Sequence, residues 1–261
     1  MRPVGTALFV YGLAVVAVLG LQLAAVTVLA AWRGGSVDLE HDGLTSLFLG
    51  VPASSLALIV IAFVAGGRPA GRTLRLRASH ITGGTLAVMI VGTLALSQAL
   101  ESLSILFGSG PGPALDWLAR TMATASPAGL LLAVLIVGIL APVGEELFFR
   151  GYMQTRLRRA WSAGPSVLLT ALAFGVIHGE LVHGVLAFGI GIYLGILTER
   201  TGSVVPSVIC HAVNNSASVL LSAWVGSPTG VGLNAAIVVA TAAIVAGALR
   251  WIARTTPAPA A

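Results

Sequence analysis

Charge is what this sequence is short of. Only 9% of its 261 residues are charged, where a soluble domain carries about a quarter. A water-soluble globule is thereby excluded, because too few groups remain to solvate its surface. Cysteine is scarcer still: Cys210 stands alone, which excludes an intramolecular disulfide and any cysteine-based zinc cluster. Acidic residues number 9 against 14 basic ones, a net charge of +5. That excess does not mark a nucleic-acid binder, since its arginines flank apolar runs and do not cover one solvated face. No cleavable secretory signal is expected either, because the first apolar run, Ala7 to Ala31, is too long for a signal core of 7–15 residues.

What is present is hydrophobic length. The chain is 57% hydrophobic, with a mean hydropathy of +0.98. Eight apolar runs stand out, at about 7–31, 46–66, 81–107, 128–149, 164–179, 182–198, 204–224 and 231–250. The predicted fold is all-α, a polytopic bundle of about eight transmembrane helices embedded in the lipid bilayer. The fifth and sixth runs are short and share a polar hairpin, His178 to His183.

Arginine placement orients the bundle. Arg2, the cluster Arg68, Arg72, Arg75 and Arg77, the cluster Arg156, Arg158 and Arg159, then Arg200, Arg250 and Arg254 all fall on one side. On the other side Arg33 is offset by Asp38, Glu40 and Asp42, and Arg120 by Asp116. The expectation is a multi-pass protein of the plasma membrane with both termini cytoplasmic. A Gly/Pro/Ser-rich stretch, Gly108 to Pro127, separates residues 1–127, a three-helix scaffold, from a catalytic core at 128–224. Residues 225–261 add a last span and a Pro/Ala-rich tail, Thr255 to Ala261, read as disordered.

Polar residues inside the apolar runs carry the chemistry. Glu145, Glu146 and Arg150 close the fourth run, and each charge costs roughly 2.5–3.5 kcal/mol at the bilayer centre. Glu146 and Arg150 share a helical face and pair; Glu145 points about 100° away, free to act as a general base. Phe174 shares a face with His178, as does His211 with Asn215. A glutamate that takes a proton from water, with imidazole and amide donors for the oxyanion, suits amide hydrolysis.

Each set also has a structural reading. The Glu-Glu-Arg cluster resembles an interfacial ion-pair anchor, a lone histidine bonds backbone, and His211 with Asn215 works as interhelical glue. The three sets together, in this order, favour the site. Glu101 and Gln98 read as interfacial, and Glu180 and His183 as solvated in their hairpin. One of Asn214 and Asn215 is expected to be structural. Gly191-x-x-x-Gly195 reads as a helix contact, and Arg156, Arg158 and Arg159 as topology signals touching anionic lipid.

Glu145-Glu146-x-x-x-Arg150, Phe174-x-x-x-His178 and His211-x-x-x-Asn215 together resemble the CPBP family, the CAAX proteases and bacteriocin-processing enzymes, also called Abi proteins. The resemblance covers about residues 128–224. It implies an intramembrane endopeptidase whose site opens toward the cytoplasm. It also implies that Glu145 and His178 activate water, that His211 and Asn215 form the oxyanion hole, and that Glu146 and Arg150 support them. The family is often labelled metalloprotease. A zinc ion would use Glu145, His178 and His211, but no His-x-x-x-His pair pre-forms two ligands, so no metal is required on this reading. The expected partner is a peptide or lipid-modified protein substrate, with no nucleic acid. Alternatives in other classes are a bacteriocin-immunity or scaffold protein and an ion or proton carrier. A carrier should show paired interrupted spans, and none stands out.

Overall fold

Local sequence signals set the helix boundaries before any packing is considered. The computed structural model describes residues 3–38 and 42–256. Arg2, Glu40 and residues 257–261, which entered the charge count and the tail reading, lie outside the described residues. Ten helices follow in order: α1 Pro3–Arg33, α2 Gly43–Gly66, a short α3 Ala70–Thr73, α4 Gly83–Leu106 and α5 Pro113–Ala123. Then come α6 Pro127–Leu157, α7 Ala163–Val176, α8 Leu181–Thr201, α9 Val205–Trp224 and α10 Val231–Thr255. No strand occurs among the described residues.

Capping residues start and stop these helices. The Thr82 and Ser126 hydroxyls each accept a backbone N–H of the following turn, and Pro127 occupies the first turn of α6. Glu180 accepts from the amides of Val182 and His183 and so caps α8. Gly202, at φ 62°, ends α8 in the left-handed conformation that favours glycine.

Among the described residues six helices are long and apolar enough to cross a membrane: α1, α2, α4, α6, α8 and α10. The run expected at 164–179 forms the 14-residue α7, about 21 Å of helix and short of a full crossing. The 20 residues of α9 have the length, but His211, Asn214 and Asn215 dilute their hydropathy. The stretch between the third and fourth runs is not all loop. It contains α5, which packs against α9. Large side chains such as Phe9, Val16, Leu23 and Val28 stand exposed along α1, as an apolar surrounding requires.

The two ends of the bundle differ in charge. At one end Arg75 and Arg158 both bind Glu199, while Arg77 donates to the Gly202 carbonyl. At the other, Arg33 pairs with Asp42 and Arg120 with Asp116, while Gly43 sits against Thr121. The arginine-rich loops therefore gather at one end. The core between is built on Phe148, Phe149, Met153 and Leu157 of α6, with Phe174 of α7.

Candidate active site

The carboxylates lie inside α6 and not at its end, which corrects the placement expected from the apolar run 128–149. α6 continues roughly 18 Å beyond Glu145 to Leu157. It is not a uniform α-helix. Val134–Leu140 and Leu147–Gln154 are wound more widely, with i→i+5 bonding, a form often found at functional sites. Between them, Gly144 presses α6 onto α2: a Cβ there would sit 2.7 Å from the Ser55 carbonyl oxygen. This contact fixes the helix one residue before the glutamates.

Glu146 and Arg150 are both fully buried. Arg150 Nη1 donates to Glu146 Oε1 at 2.6 Å, and its Nη2 donates to the Gly191 carbonyl at 3.0 Å. The same Glu146 oxygen lies 3.0 Å from His211 Nδ1. A carboxylate only accepts, so Nδ1 carries the proton and donates. The other ring nitrogen, Nε2, faces Glu145 Oε2 at 3.7 Å. Glu145 keeps 21% of its side chain exposed where Glu146 keeps none. His211 thus stands between a carboxylate locked in an ion pair and one that is reachable.

Phe174 joins the elements of the site. Its ring meets His178 edge-on at 4.9 Å and His211 at 5.7 Å, with the Arg150 guanidinium 4.5 Å over its face. His178 lies just past the end of α7, and its Nδ1 is 2.7 Å from the Phe174 carbonyl. A carbonyl only accepts, so His178 donates from Nδ1 and keeps Nε2 as a base-like acceptor. His183 and Glu180, expected to be solvated, are half-buried. His183 stacks edge-on with His178 at 4.4 Å, and Glu180 serves as the cap of α8.

Asn215 reaches across to α6, where its Nδ2 donates to the Val137 carbonyl at 3.3 Å. That carbonyl has no helical donor. The Ala141 amide bonds to Ile136, and Pro142, the next in register, has no N–H. Asn214 is the more buried of the pair and donates to Asn215 Oδ1 at 3.4 Å.

Sequence reasoning missed a polar ladder beyond this centre. Gln154 Nε2 donates to the Gly195 carbonyl at 3.1 Å and to Glu199 Oε1 at 2.9 Å, one step along from the Arg150–Gly191 contact. Gly191 and Gly195 are therefore more than a close helix contact: they present carbonyls to buried donors. A Cβ at Gly191 would lie 3.2 Å from Arg150 Nη2. Arg158, read as lipid-facing, instead binds Glu199 Oε2 at 3.1 Å. The four-residue spacing of Glu146, Arg150 and Gln154 was the available signal.

The set Glu145, His178 and His211 does not converge as a ligand sphere. Among the described residues no three His, Cys, Asp or Glu side chains are gathered so as to hold a metal ion. His178 and His211 each spend Nδ1 on a protein acceptor.

Residues 127–217 match the family model of the Rce1-like type II CAAX prenyl endopeptidases. That match is consistent with a CPBP family protease, the resemblance carried by the three motifs, and it supports a multi-pass membrane protease. The chain is also similar to an uncharacterized 24.3 kDa protein of Escherichia coli, 29% identical over 133 residues. The aligned part is 49% of this chain and 57% of that relative, so the chain spans little more than half of the relative's length.

Proposed function

Taking residues 127–217 as an Rce1-like peptidase domain, we propose that this protein is an intramembrane endopeptidase of the CAAX-protease type. The observation that carries the reading is the position of His211, bonded through Nδ1 to Glu146 while Nε2 faces Glu145. Glu145, the reachable carboxylate, takes a proton from water, and the Nε2 acceptor of His178 helps orient that water. The hydroxide attacks the scissile carbonyl. Asn215 donates to the oxyanion, and so does His211 once its Nε2 also carries a proton, its Nδ1–H being already given to Glu146. Collapse of the tetrahedral intermediate then breaks the C–N bond as the proton held by Glu145 passes to the leaving amine. Glu146 and Arg150 hold His211 in place. No step is assigned to a metal ion.

The topology completes the proposal. We read α7, as a short span, and α9 as two further passes beside the six longer helices, and both termini as cytoplasmic in a plasma-membrane protein. The arginine-rich end then faces the cytoplasm. The substrate is a peptide or lipid-modified protein tail that reaches the site from that side. The family's described substrates are prenylated tails, which is the first class to test. Membrane proteomes of cells carrying wild-type protein and Glu145→Ala should differ by at least one tail left untrimmed in the variant. Identical proteomes, together with an inert purified protein, would favour an immunity or scaffold role.

A further inference from the structure

A second polar constellation lies away from the glutamates, where α2, α3 and the last turns of α6 meet. A notch of about 10 Å³, room for one water-sized group, is lined by Tyr152, Thr155, Arg156 and Arg159 with the end of α2. Two donors in this region are buried with nothing to bond: the Tyr152 hydroxyl and Arg156 Nε. Tyr152 itself is only 3% exposed. Buried donors left unpaired cost free energy, and a partner from outside the chain would remove that cost.

The notch adjoins a wider basin through Thr155. That basin, about 590 Å³, is lined by Arg72, Arg75 and Arg77 with Pro69 and Leu76. Arg75 is neutralised by Glu199, but neither concavity has a carboxylate in its lining. Four guanidinium groups, those of Arg72, Arg77, Arg156 and Arg159, therefore surround a concave surface with a phenol at its base. This is the donor set that planar, bidentate recognition of a phosphate calls for.

We propose that this end of the bundle is a binding site for a phosphate group. The Tyr152 hydroxyl and Arg156 take oxygens at the notch, Arg159 closes over it, and Arg72 and Arg77 hold the remaining charge from the basin. The phosphate belongs either to an anionic phospholipid headgroup or to a soluble phosphate. The site is independent of peptidase chemistry.

The test uses the purified full chain. Native mass spectrometry after addition of phosphatidylglycerol or phosphatidylcholine measures lipid retention, and thermal unfolding with inorganic phosphate measures soluble binding. Wild-type protein should retain phosphatidylglycerol over phosphatidylcholine. Tyr152→Phe and Arg156→Gln should each weaken that retention about tenfold, the loss expected for one hydrogen bond to a charged group. Arg250→Gln, an arginine elsewhere, should change nothing. A lipid site is assigned by that pattern. A soluble-phosphate site is assigned if phosphate alone raises the unfolding midpoint in wild type and not in the variants. Tyr152→Phe keeps the ring and so stays informative should Arg156→Gln fail to fold. Equal retention in wild type and Tyr152→Phe, with no response to phosphate, would overturn the proposal.

Discussion

The side-chain amide of Asn215 donates to the carbonyl of Val137 across 3.3 Å, and Pro142 is the reason that carbonyl is free. A proline five residues on in a widely wound stretch removes the donor, and a neighbouring helix supplies another. One N–H of the asparagine is spent on the helix; on the proposed reading the other serves a substrate oxygen.

This relationship separates activity from stability. Asn215→Ala should lower kcat by about 10²–10³, the usual loss for one oxyanion donor, and stability by about 1 kcal/mol. Pro142→Ala should do the opposite to the fold: it restores an N–H and raises helix propensity. The restored amide competes for Val137, so activity should still fall. Kinetics and unfolding midpoints on both variants check this, and a Pro142→Ala enzyme of unchanged rate would contradict it.

The buried ion pair gives a second expectation. Glu146→Ala leaves Arg150 charged and without its carboxylate, at a cost of about 3–5 kcal/mol. Replacing both residues, Glu146→Ala with Arg150→Met, should recover much of that loss but no activity, because His211 would still lack its Nδ1 acceptor. Unfolding midpoints in one detergent, measured beside turnover, distinguish the two effects.

How far the sequence alone discloses this architecture depends on the residue. The pairing of Glu146 with Arg150 follows from helical spacing, and so does the different face of Glu145. Phe174 next to His178 was legible for the same reason. That His211 joins the glutamates in one site was expected from the combined motifs, but its contact with both does not follow from spacing, since no spacing rule spans helices 65 residues apart in sequence. Apolar periodicity also misplaced the end of α6. Its last turns carry Arg150 and Gln154, which donate to carbonyls of α8, and hydropathy does not register such partners. Arg158 failed likewise: its partner Glu199 becomes a neighbour only once α6 and α8 are packed.

Glycine substitutions rank the helix contacts. At Gly144 a Cβ meets the backbone of Ser55 at 2.7 Å, whereas at Gly195 the nearest atom is Val167 Cγ1 at 2.8 Å, a side chain able to turn. Gly144→Ala should therefore cost more than Gly195→Ala, both within the range of about 1–3 kcal/mol typical of overpacking. Gly144→Ala should also reduce turnover by shifting Glu145. Comparable stabilities would mean that α6 is not pinned to α2 as the geometry requires.

Topology is open to a direct check. In a Cys210→Ala background, single cysteines at residues 68–79 or 159–162 should be protected from an impermeant reagent added outside intact cells. Cysteines at residues 33–38 or 108–112 should be labelled. The reverse pattern would place the arginine-rich end outside and turn the proposed site to the other face.

The central claim is that Glu145 is the base. Its test is the turnover of a prenylated, C-terminally extended peptide by purified wild-type protein and by Glu145→Gln, which preserves shape and removes the proton acceptor. The account predicts a wild-type enzyme that trims the peptide. It also predicts a Glu145→Gln variant that elutes and unfolds like wild type yet turns over at least about 10²-fold more slowly. A folded Glu145→Gln protein that cleaves at the wild-type rate would contradict it.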